Sequence, residues 1–285
     1  MDSRVMGVLS LVLASFFMGM NGVFLVPLNS RLPMWEIVGL RFVLTFVCVA
    51  ILAAALGKGS KTKDLKGEVA MGLIGGVLIL SYFLSIVSLG LSVAALLLYT
   101  APLFGTVFSH FILGERIRRA HVICLMTAFI GLLMVLKPSL FLDPRLLVGV
   151  VAPVCYGFKM VYNRRLGRVD STWVITYYYM LVPSVLFLAY LAMNSWAFVV
   201  PVMGDLPYLG GLVLLCSVIG LLLQHYGASV LDVSVSSVVL MSEAVFSVLF
   251  GIMVFGERLD AGTLVGGLLV IASGAYLGFT RNVDN

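Results

Sequence analysis

The residues best suited to chemistry are charged side chains that interrupt long apolar runs. Glu243 and Lys159 each lie inside such a run. An acidic residue at the centre of a membrane-spanning helix costs roughly 2.5–3.5 kcal/mol, so it normally faces a cavity or a charged partner. Glu243 therefore predicts binding of a cationic group or a proton, or else a structural pairing with Lys159 or Arg41. Lys159 predicts binding of a carboxylate or other anion, pairing with Glu243, or a side chain that extends to the membrane edge.

Uncharged polar residues lie at similar depth in other apolar runs. Gln224 and His225 are adjacent, and because successive side chains of a helix point about 100° apart, we expect only one of them to face a cavity. His225 is a candidate for titration near neutral pH, although a lone helical histidine is more often a hydrogen-bonded packing residue. Asn21 is expected to hydrogen-bond either a solute or a neighbouring helix. Arg41 follows Glu36 by about a turn and a half, which favours an interfacial anchor or an ion pair.

Aromatic residues accompany these charges in the apolar runs. Together with a carboxylate, tyrosine rings suit an organic cation through cation–π attraction, or an aromatic ring through stacking. The alternative is packing or an interfacial aromatic belt. Pro102 lies next to Tyr99 within a run and predicts a kink or a widening there. The tyrosines expected at the same depth as the charged residues are Tyr82, Tyr99 and Tyr156.

The elements that position these residues are predicted to be membrane-spanning helices. The 285 residues are 61% hydrophobic and 11% charged, whereas soluble domains are about 45–50% apolar and about 25% charged. A spanning helix needs about 20 mostly apolar residues. We expect the N-terminal run to be a retained first helix rather than a cleaved signal peptide. Ten windows qualify: 5–28, 34–56, 68–88, 92–113, 118–136, 146–164, 172–192, 207–227, 234–255 and 261–280.

The basic residues between the windows predict an orientation rather than nucleic-acid binding, despite the net charge of +5. With ten spans, 12 of the 18 lysines and arginines fall on the side of the termini and 4 on the other side. Cytoplasmic loops carry the excess of basic residues, so both termini are expected in the cytoplasm, with the protein in the inner (plasma) membrane. The four on the opposite side are Arg31, Lys137, Arg145 and Arg258.

An internal repeat divides the chain. The segment Gly114-Glu115-Arg116 recurs as Gly256-Glu257-Arg258, and nearer the starts of the halves Gly19 matches Gly157. Five spans in each half is an odd number, so the second half enters the membrane from the opposite side, as in inverted-repeat transporters. Glu115 and Glu257 are each predicted to complement the positively polarised N-terminus of the next helix.

Several short segments occur in a fixed order along the chain. They are Phe17-Met18-Gly19-Met20-Asn21, Gly39-Leu40-Arg41-Phe42, Tyr99-Thr100-Ala101-Pro102-Leu103 with Gly114-Glu115-Arg116, and Glu243 with Gly256-Glu257-Arg258. In these segments, and over almost the whole chain, the sequence resembles the drug/metabolite transporter superfamily, specifically the EamA-like ten-helix exporters. The resemblance implies a central cavity lined mainly by spans 1, 3, 4, 6, 8 and 9, with spans 5 and 10 at the periphery. Family members carry diverse solutes, so the resemblance names none.

The predicted fold is an all-α membrane protein of ten transmembrane helices, built as two inverted five-helix repeats around a central cavity. Residues 1–138 form the first repeat and residues 139–285 the second. The predicted substrate-binding set comprises Glu243, Lys159, Tyr99, Tyr82, Asn21, Tyr156, His225 and Gln224.

The predicted function is secondary active transport of a small polar organic solute, an amino acid or related metabolite, with export as the expected direction. The expected partners are this solute, membrane lipid, and a coupling proton or counter-substrate, without nucleic acid. No phosphate-binding loop or HExxH pair occurs in the sequence, so we expect no cofactor, no metal and no enzymatic activity. The alternatives are an intramembrane enzyme or lipid-handling protein, and less plausibly a membrane scaffold.

Overall fold

The structure, a computed structural model, describes residues 3–89, 94, 97–136, 149–194, 198–256 and 261–279. Within these ranges all regular structure is helical and no strand occurs, which confirms the predicted all-α class. Five residues used in the charge and repeat predictions lie outside the described ranges: Lys137, Arg145, Glu257, Arg258 and Arg281.

Thirteen α-helices can be followed through the described ranges, with a 3₁₀ turn at Met203–Asp205 and a π-helical segment at Leu212–Ile219. The α-helices are α1 (Ser3–Gly19), α2 (Asn21–Asn29), α3 (Met34–Ala55), α4 (Leu65–Leu89), α5 (Ala101–Leu113), α6 (Arg119–Leu136), α7 (Val151–Leu166), α8 (Thr172–Met193), α9 (Leu206–Gly211), α10 (Gly220–Val230), α11 (Val233–Leu240), α12 (Ser242–Phe255) and α13 (Ala261–Phe279).

The helices have the length and composition of an integral membrane protein. Among the described residues, six helical stretches are long and apolar enough to cross a membrane, and three shorter apolar helices accompany them. Every one of the ten predicted windows overlaps a helix. The count of ten crossings stays a prediction, because only six stretches meet the length criterion. The six are Ser3–Asn29, Met34–Ala55, Leu65–Tyr82, Thr172–Met193, Met203–Val230 and Val233–Phe255.

Three of the predicted windows are broken near their middle. The first window is interrupted at Met20, between α1 and α2, and the ninth at Met241, between α11 and α12. In the fourth window a turn at Tyr99 and Thr100 precedes α5, with Pro102 in the first turn of that helix. Proline is tolerated there because the first N–H groups of a helix have no intrahelical partner. The break thus lies where Pro102 predicted a distortion.

The helices pack in two similar sets. α1 contacts α10 and α12, whereas α7 contacts α4 and α5. α3 packs against α8. α6 and α13, the fifth and tenth predicted spans, pack against each other. Each of the two central helices, α1 and α7, therefore lies between helices that belong mainly to the other half of the sequence.

Two matching glycines permit the closest of these approaches. A Cβ atom added at Gly19 in α1 would lie 2.7 Å from the Cβ of Phe246 in α12. A Cβ added at Gly157 in α7 would lie 2.8 Å from the backbone nitrogen of Gly105 in α5. Neither distance accommodates a side chain, so both glycines are required by packing, as is common where membrane helices meet closely.

We expect Gly157→Ala to destabilise the protein by about 1–3 kcal/mol, because the new methyl group meets backbone that cannot rotate away. Thermal unfolding of the detergent-solubilised protein measures the effect. Gly210→Ala is the matched control, because a Cβ at Gly210 meets no atom within 4 Å. Equal melting temperatures for the two variants would contradict the packing argument.

Candidate functional site

Lys159 lies inside the helix bundle and not at a membrane edge. Its residue is only 5% exposed, and its Nζ donates a hydrogen bond of 3.0 Å to Oε1 of Gln224. The same nitrogen lies 4.6 Å from the ring centroid of Tyr179 and 5.1 Å from that of Tyr156. The ammonium group is thus held by one amide oxygen and two aromatic faces. The alternative of a side chain extending to the membrane edge is wrong.

Gln224 links α10 to α7 through both ends of its amide group. Its Oε1 accepts from Lys159, and its Nε2 donates to the Tyr156 hydroxyl at 3.1 Å. With 2% exposure, Gln224 has its amide used by neighbours on the facing helix. Three of the predicted site residues therefore form one hydrogen-bonded chain.

His225 is fully buried beside this chain. Its Nδ1 lies 2.8 Å from the Thr176 hydroxyl, and its ring packs edge-on against Tyr179. Because the Thr176 hydroxyl donates to the Thr172 carbonyl, it accepts from Nδ1. Nε2 is then an unprotonated acceptor, and it has no hydrogen-bond partner among the described residues.

A narrow cavity connects these groups, with room for about one water molecule. Both Gln224 and His225 reach the wall of this small void. The expectation that only one of them faces the central cavity stays a prediction. An organic solute does not fit in the small void, and binding one requires the surrounding helices to move apart. The lining includes Tyr156, Lys159, Asn163, Gln224, His225 and Leu240.

Glu243 lies in the first turn of α12, just after the break at Met241. It is partly exposed, and its charge interacts electrostatically with Arg41 and Lys159. The unpaired N–H groups of a helix N-terminus stabilise negative charge. The sequence placed Glu243 at the middle of a continuous helix, whereas the structure places it at the start of a half-helix.

The charge of Glu243 acts on all three predicted tyrosines. These are Tyr82 on α4, Tyr99 in the turn before α5, and Tyr156 on α7. Tyr99 also interacts electrostatically with the other two tyrosines. Three separate parts of the chain are thus coupled to the one acidic group at the start of α12.

Asn21 is the one predicted site residue that no described contact joins to this group. It begins α2, immediately after the break at Met20, and its Oδ1 is buried without a hydrogen-bond partner among the described residues. The oxygen is an available acceptor in the interior. No described residue of a neighbouring helix donates a hydrogen bond to that atom.

Arg41 belongs to the same group of charges, although the sequence favoured an anchor or an ion pair near Glu36. Its Nε donates a hydrogen bond of 2.6 Å to the Ser217 hydroxyl. Glu36 instead accepts from the backbone N–H of Val199 at 3.0 Å. The sequence marked Arg41 as a charge within an apolar run. It could not indicate Ser217 as the hydrogen-bond partner, because Ser217 lies 176 residues further along the chain.

Ion pairs tie the helices together at the end of the bundle where α5 and α7 terminate. Glu115 Oε2 accepts from the Val233 N–H at 3.0 Å, and its Oε1 lies 3.6 Å from Arg164 Nε. Arg164 also donates to the Ser229 carbonyl and lies 3.5 Å from Asp232. Glu115 was expected to complement the N-terminus of the next helix, α6. It accepts instead from the first N–H group of α11.

Further contacts join the loops at both ends. At the same end as Glu115, Arg165 lies 3.4 Å from Asp64, and Thr62 donates to Asp170 at 2.6 Å. At the opposite end, Arg31 lies 3.4 Å from Asp205. The region around Glu243 and Lys159 is thus enclosed between two tied ends.

Comparison with known proteins agrees with this arrangement of polar groups between apolar helices. The sequence profile of the EamA-like transporter family matches residues 5–137 and again residues 144–279. The chain belongs to the EamA-like transporter family. Family membership makes it an integral membrane transporter of the drug/metabolite type, and it confirms the resemblance drawn from the sequence motifs.

Individual relatives of this EamA-like chain are also named as transporters. It is 27% identical over 287 residues to the pseudopaline exporter of Pseudomonas aeruginosa (strain UCBPP-PA14), with 99% of both chains covered. It is 25% identical over 260 residues to the S-adenosylmethionine uptake transporter of Rickettsia bellii (strain RML369-C), which covers 88% of this chain and 85% of that one. These names favour transport of a small metabolite over the enzyme alternative.

A solved crystal structure shares the fold. The TM-score is 0.81 at 20% sequence identity, over 98% of this chain and 96% of the other. At this level of identity the likeness concerns the course of the helices and carries no information on substrate.

We expect Gln224→Leu to destabilise the protein by about 1–3 kcal/mol, because it leaves the buried Lys159 ammonium and Tyr156 hydroxyl without their amide partner. Thermal unfolding in detergent measures the change. Thr127→Val is a suitable control, since Thr127 bonds only a carbonyl of its own helix. The interpretation fails if both variants unfold at the wild-type temperature.

Stability is also expected to depend on the ionisation of Glu115, which lies between α5 and α6. Burial raises the pKa of Glu115, although the Val233 N–H and Arg164 act in the opposite direction. The folded protein then holds the proton more tightly than the unfolded chain. Protonated Glu115 therefore contributes stability to the folded state below the ordinary pKa of glutamic acid. This contribution is lost as the pH rises through the raised pKa of Glu115 in the folded protein.

Glu115→Gln removes this ionisation but keeps an oxygen acceptor for Val233. We therefore compare melting temperatures as the pH is raised from below the ordinary pKa of glutamic acid to above the raised pKa of Glu115. Over this range the melting temperature of the variant is expected to change less than that of the wild type. Melting curves of both proteins at a series of pH values provide the measurement. Parallel pH profiles would show that Glu115 titrates as an ordinary surface group.

Proposed function

We propose that the protein is a secondary active transporter that moves a small polar organic solute, an amino acid or related metabolite, across the inner (plasma) membrane by alternating access. The observation that carries this proposal is the group of Glu243, Lys159 and three tyrosines in the interior of an apolar helix bundle. Charges at that depth are costly and mark substrate or ion pathways in membrane proteins.

The proposed architecture is ten spans in two inverted repeats, residues 1–138 and 139–285, with both termini in the cytoplasm. The two separate matches of the family profile support it. The glycine contacts support it further: Gly19 meets Phe246, and Gly157 meets Phe104. Gly19 and Gly157 were matched in the sequence, and Phe104 and Phe246 are related by the same offset as Gly114 and Gly256. Equivalent helices thus pack through equivalent residues.

The breaks in the helices support a midplane site in each half. Tyr99 and Met241 occupy equivalent positions at the offset of Gly114 and Gly256, and each lies where a window is interrupted. Broken helices expose backbone groups for binding, and transporters with inverted repeats use them at the membrane midplane. Glu243 lies two residues beyond one break, and Tyr99 lies in the other.

Within this site we assign Glu243 to the cationic group of the solute or to a coupling proton. Tyr82, Tyr99 and Tyr156 supply aromatic faces around it. Lys159 and Gln224 supply polar contacts that become accessible when the cavity widens. The proposed set also includes Asn21, whose free Oδ1 is an acceptor, and His225, whose free Nε2 is a second candidate for the coupling proton.

The direction we propose is export. The pseudopaline exporter matches over 99% of both chains, whereas the S-adenosylmethionine uptake transporter matches over 88% of this chain. Exchange against a counter-substrate is the alternative to coupling with protons, and both fit the same site.

Reconstitution into proteoliposomes with radiolabelled amino acids, with and without a pH gradient, tests the proposal. We expect Glu243→Gln to lower the initial rate about tenfold or more, because a neutral amide cannot balance an ammonium group or carry a proton. Glu68→Gln is the matched control: it also replaces a buried carboxylate in a membrane helix, but at the end of the bundle and outside the site. Unchanged transport by Glu243→Gln would refute the role of Glu243.

A further inference from the structure

Arg41 is the charged residue of the interior that the proposed site does not yet use. It lies on α3, which packs against α8 and the π-helical segment Leu212–Ile219. An ion pair between Arg41 and Glu36 was expected from their spacing. In the structure Glu36 instead accepts from the Val199 backbone N–H and is not recorded as a partner of Arg41. The function of a partly exposed guanidinium at this depth is therefore open.

Ser217 fixes one edge of the Arg41 guanidinium group. The Ser217 hydroxyl donates to the Leu212 carbonyl at 2.9 Å, five residues earlier in the π-helical segment, and accepts from Arg41 Nε at 2.6 Å. π-Helical turns inside longer helices occur frequently at functional sites. Neither terminal Nη atom of Arg41 has a hydrogen-bond acceptor among the described residues, so the outer edge of the fork is left without a protein partner.

Glu243 is the acidic group whose charge acts on both interior cations, Arg41 and Lys159. Among the described residues no ion pair within 4.0 Å joins Glu243 to either cation. Arg41 and Glu243 are both partly exposed. The two charges thus act on each other electrostatically without a direct bond, which leaves both available to one solute.

Lys159 differs from Arg41 in exposure and in the kind of contacts it makes. It is 5% exposed, donates to Gln224, and is covered by the rings of Tyr156 and Tyr179. The Arg41 residue is partly exposed, and no aromatic ring is recorded over it among the described residues. Arg41 is therefore the more accessible of these two cations.

We propose that the outer edge of Arg41, fixed by Ser217, binds the carboxylate of the solute while Glu243 binds its amino group. This inference rests on the proposed transport function and narrows its substrate class to zwitterions that carry a carboxylate and an ammonium group on one small skeleton. An arginine fork matches the two oxygens of a carboxylate, which a lysine ammonium cannot do with the same geometry.

The test uses pairs of probes that differ only in the carboxylate: phenylalanine with phenethylamine, histidine with histamine, and lysine with cadaverine. A nucleoside and a neutral sugar complete the panel. Each probe is assayed for transport in proteoliposomes and for binding to the detergent-solubilised full chain. For at least one pair we expect the wild type to bind the amino acid at least about tenfold more tightly than the amine, since bonds to charged groups contribute that much discrimination.

Variants then assign the discrimination to one residue. Arg41→Gln is expected to weaken amino-acid binding about 10-fold to 100-fold while leaving binding of the amine unchanged or stronger, because a positive charge near Glu243 has been removed. Arg41→Lys keeps the positive charge, so it can be used if Arg41→Gln fails to fold. It is also expected to lose most of the preference for the amino acid over the amine. Lys159→Met tests whether the preference depends instead on the second interior cation. Arg168→Gln, which removes an exposed cation, is the control and is expected to behave as wild type.

The outcomes separate this inference from the transport proposal. If the wild type transports an amine, a nucleoside or a sugar without preferring carboxylates, the transport proposal stands and the role of Arg41 is wrong. The role is also wrong if Arg41→Gln weakens both members of a pair equally, or if Lys159→Met alone abolishes the preference. If the folded wild type transports none of the probes, both proposals fail together.

Discussion

The arrangement of this protein depends on the cost of placing charges inside an apolar bundle. Arg41, Lys159 and Glu243 all lie within apolar runs, and each must find compensation that lipid cannot give. Lys159 finds it in Gln224 and two tyrosine rings, Arg41 in Ser217, and Glu243 in the N-terminus of a half-helix and the cations that act on it. Two irregular features accompany these charges: the break before α12 and the π-helical turn that carries Ser217.

The compensation is uneven, and this unevenness distinguishes structural from functional charges. Lys159 is covered by two rings and bonded to Gln224, so its charge is partly compensated within the protein. Groups with unused hydrogen-bonding capacity are expensive unless something else satisfies them. Arg41, Glu243, Asn21 Oδ1 and His225 Nε2 are of this second kind among the described residues. A transporter needs such groups, because its solute supplies the missing partners during only part of the cycle.

Apolar runs singled out most site residues, and contacts and electrostatic interactions link seven of the eight in the structure. Glu243, Lys159 and Gln224 could be recognised because they interrupt such runs. Arg41 and Lys159 were named as alternative partners of Glu243, and the charges of both act on it. Hydrogen-bond partners could not be predicted, because a periodic pattern fixes the face of a helix but not which distant helix lies against it. The bond from Arg41 to Ser217 is therefore absent from the sequence predictions. Glu115 was assigned to the next helix for the same reason, whereas it serves α11, more than a hundred residues later.

Movement must accompany function, because the cavity beside Lys159 holds about one water molecule. The contacts at each end of the bundle join residues before 138 to residues after 139: Glu115 to Arg164 at one end, Arg31 to Asp205 at the other. Opening either end therefore breaks polar contacts between the two halves of the sequence. The interior contacts at Gly19 and Gly157 involve no side-chain hydrogen bond or ion pair and bring helix backbones close together. In the proposed alternating-access cycle, a rocking motion about these glycine contacts would exchange one set of end contacts for the other. The balance between the two sets would then set which side of the membrane the site faces.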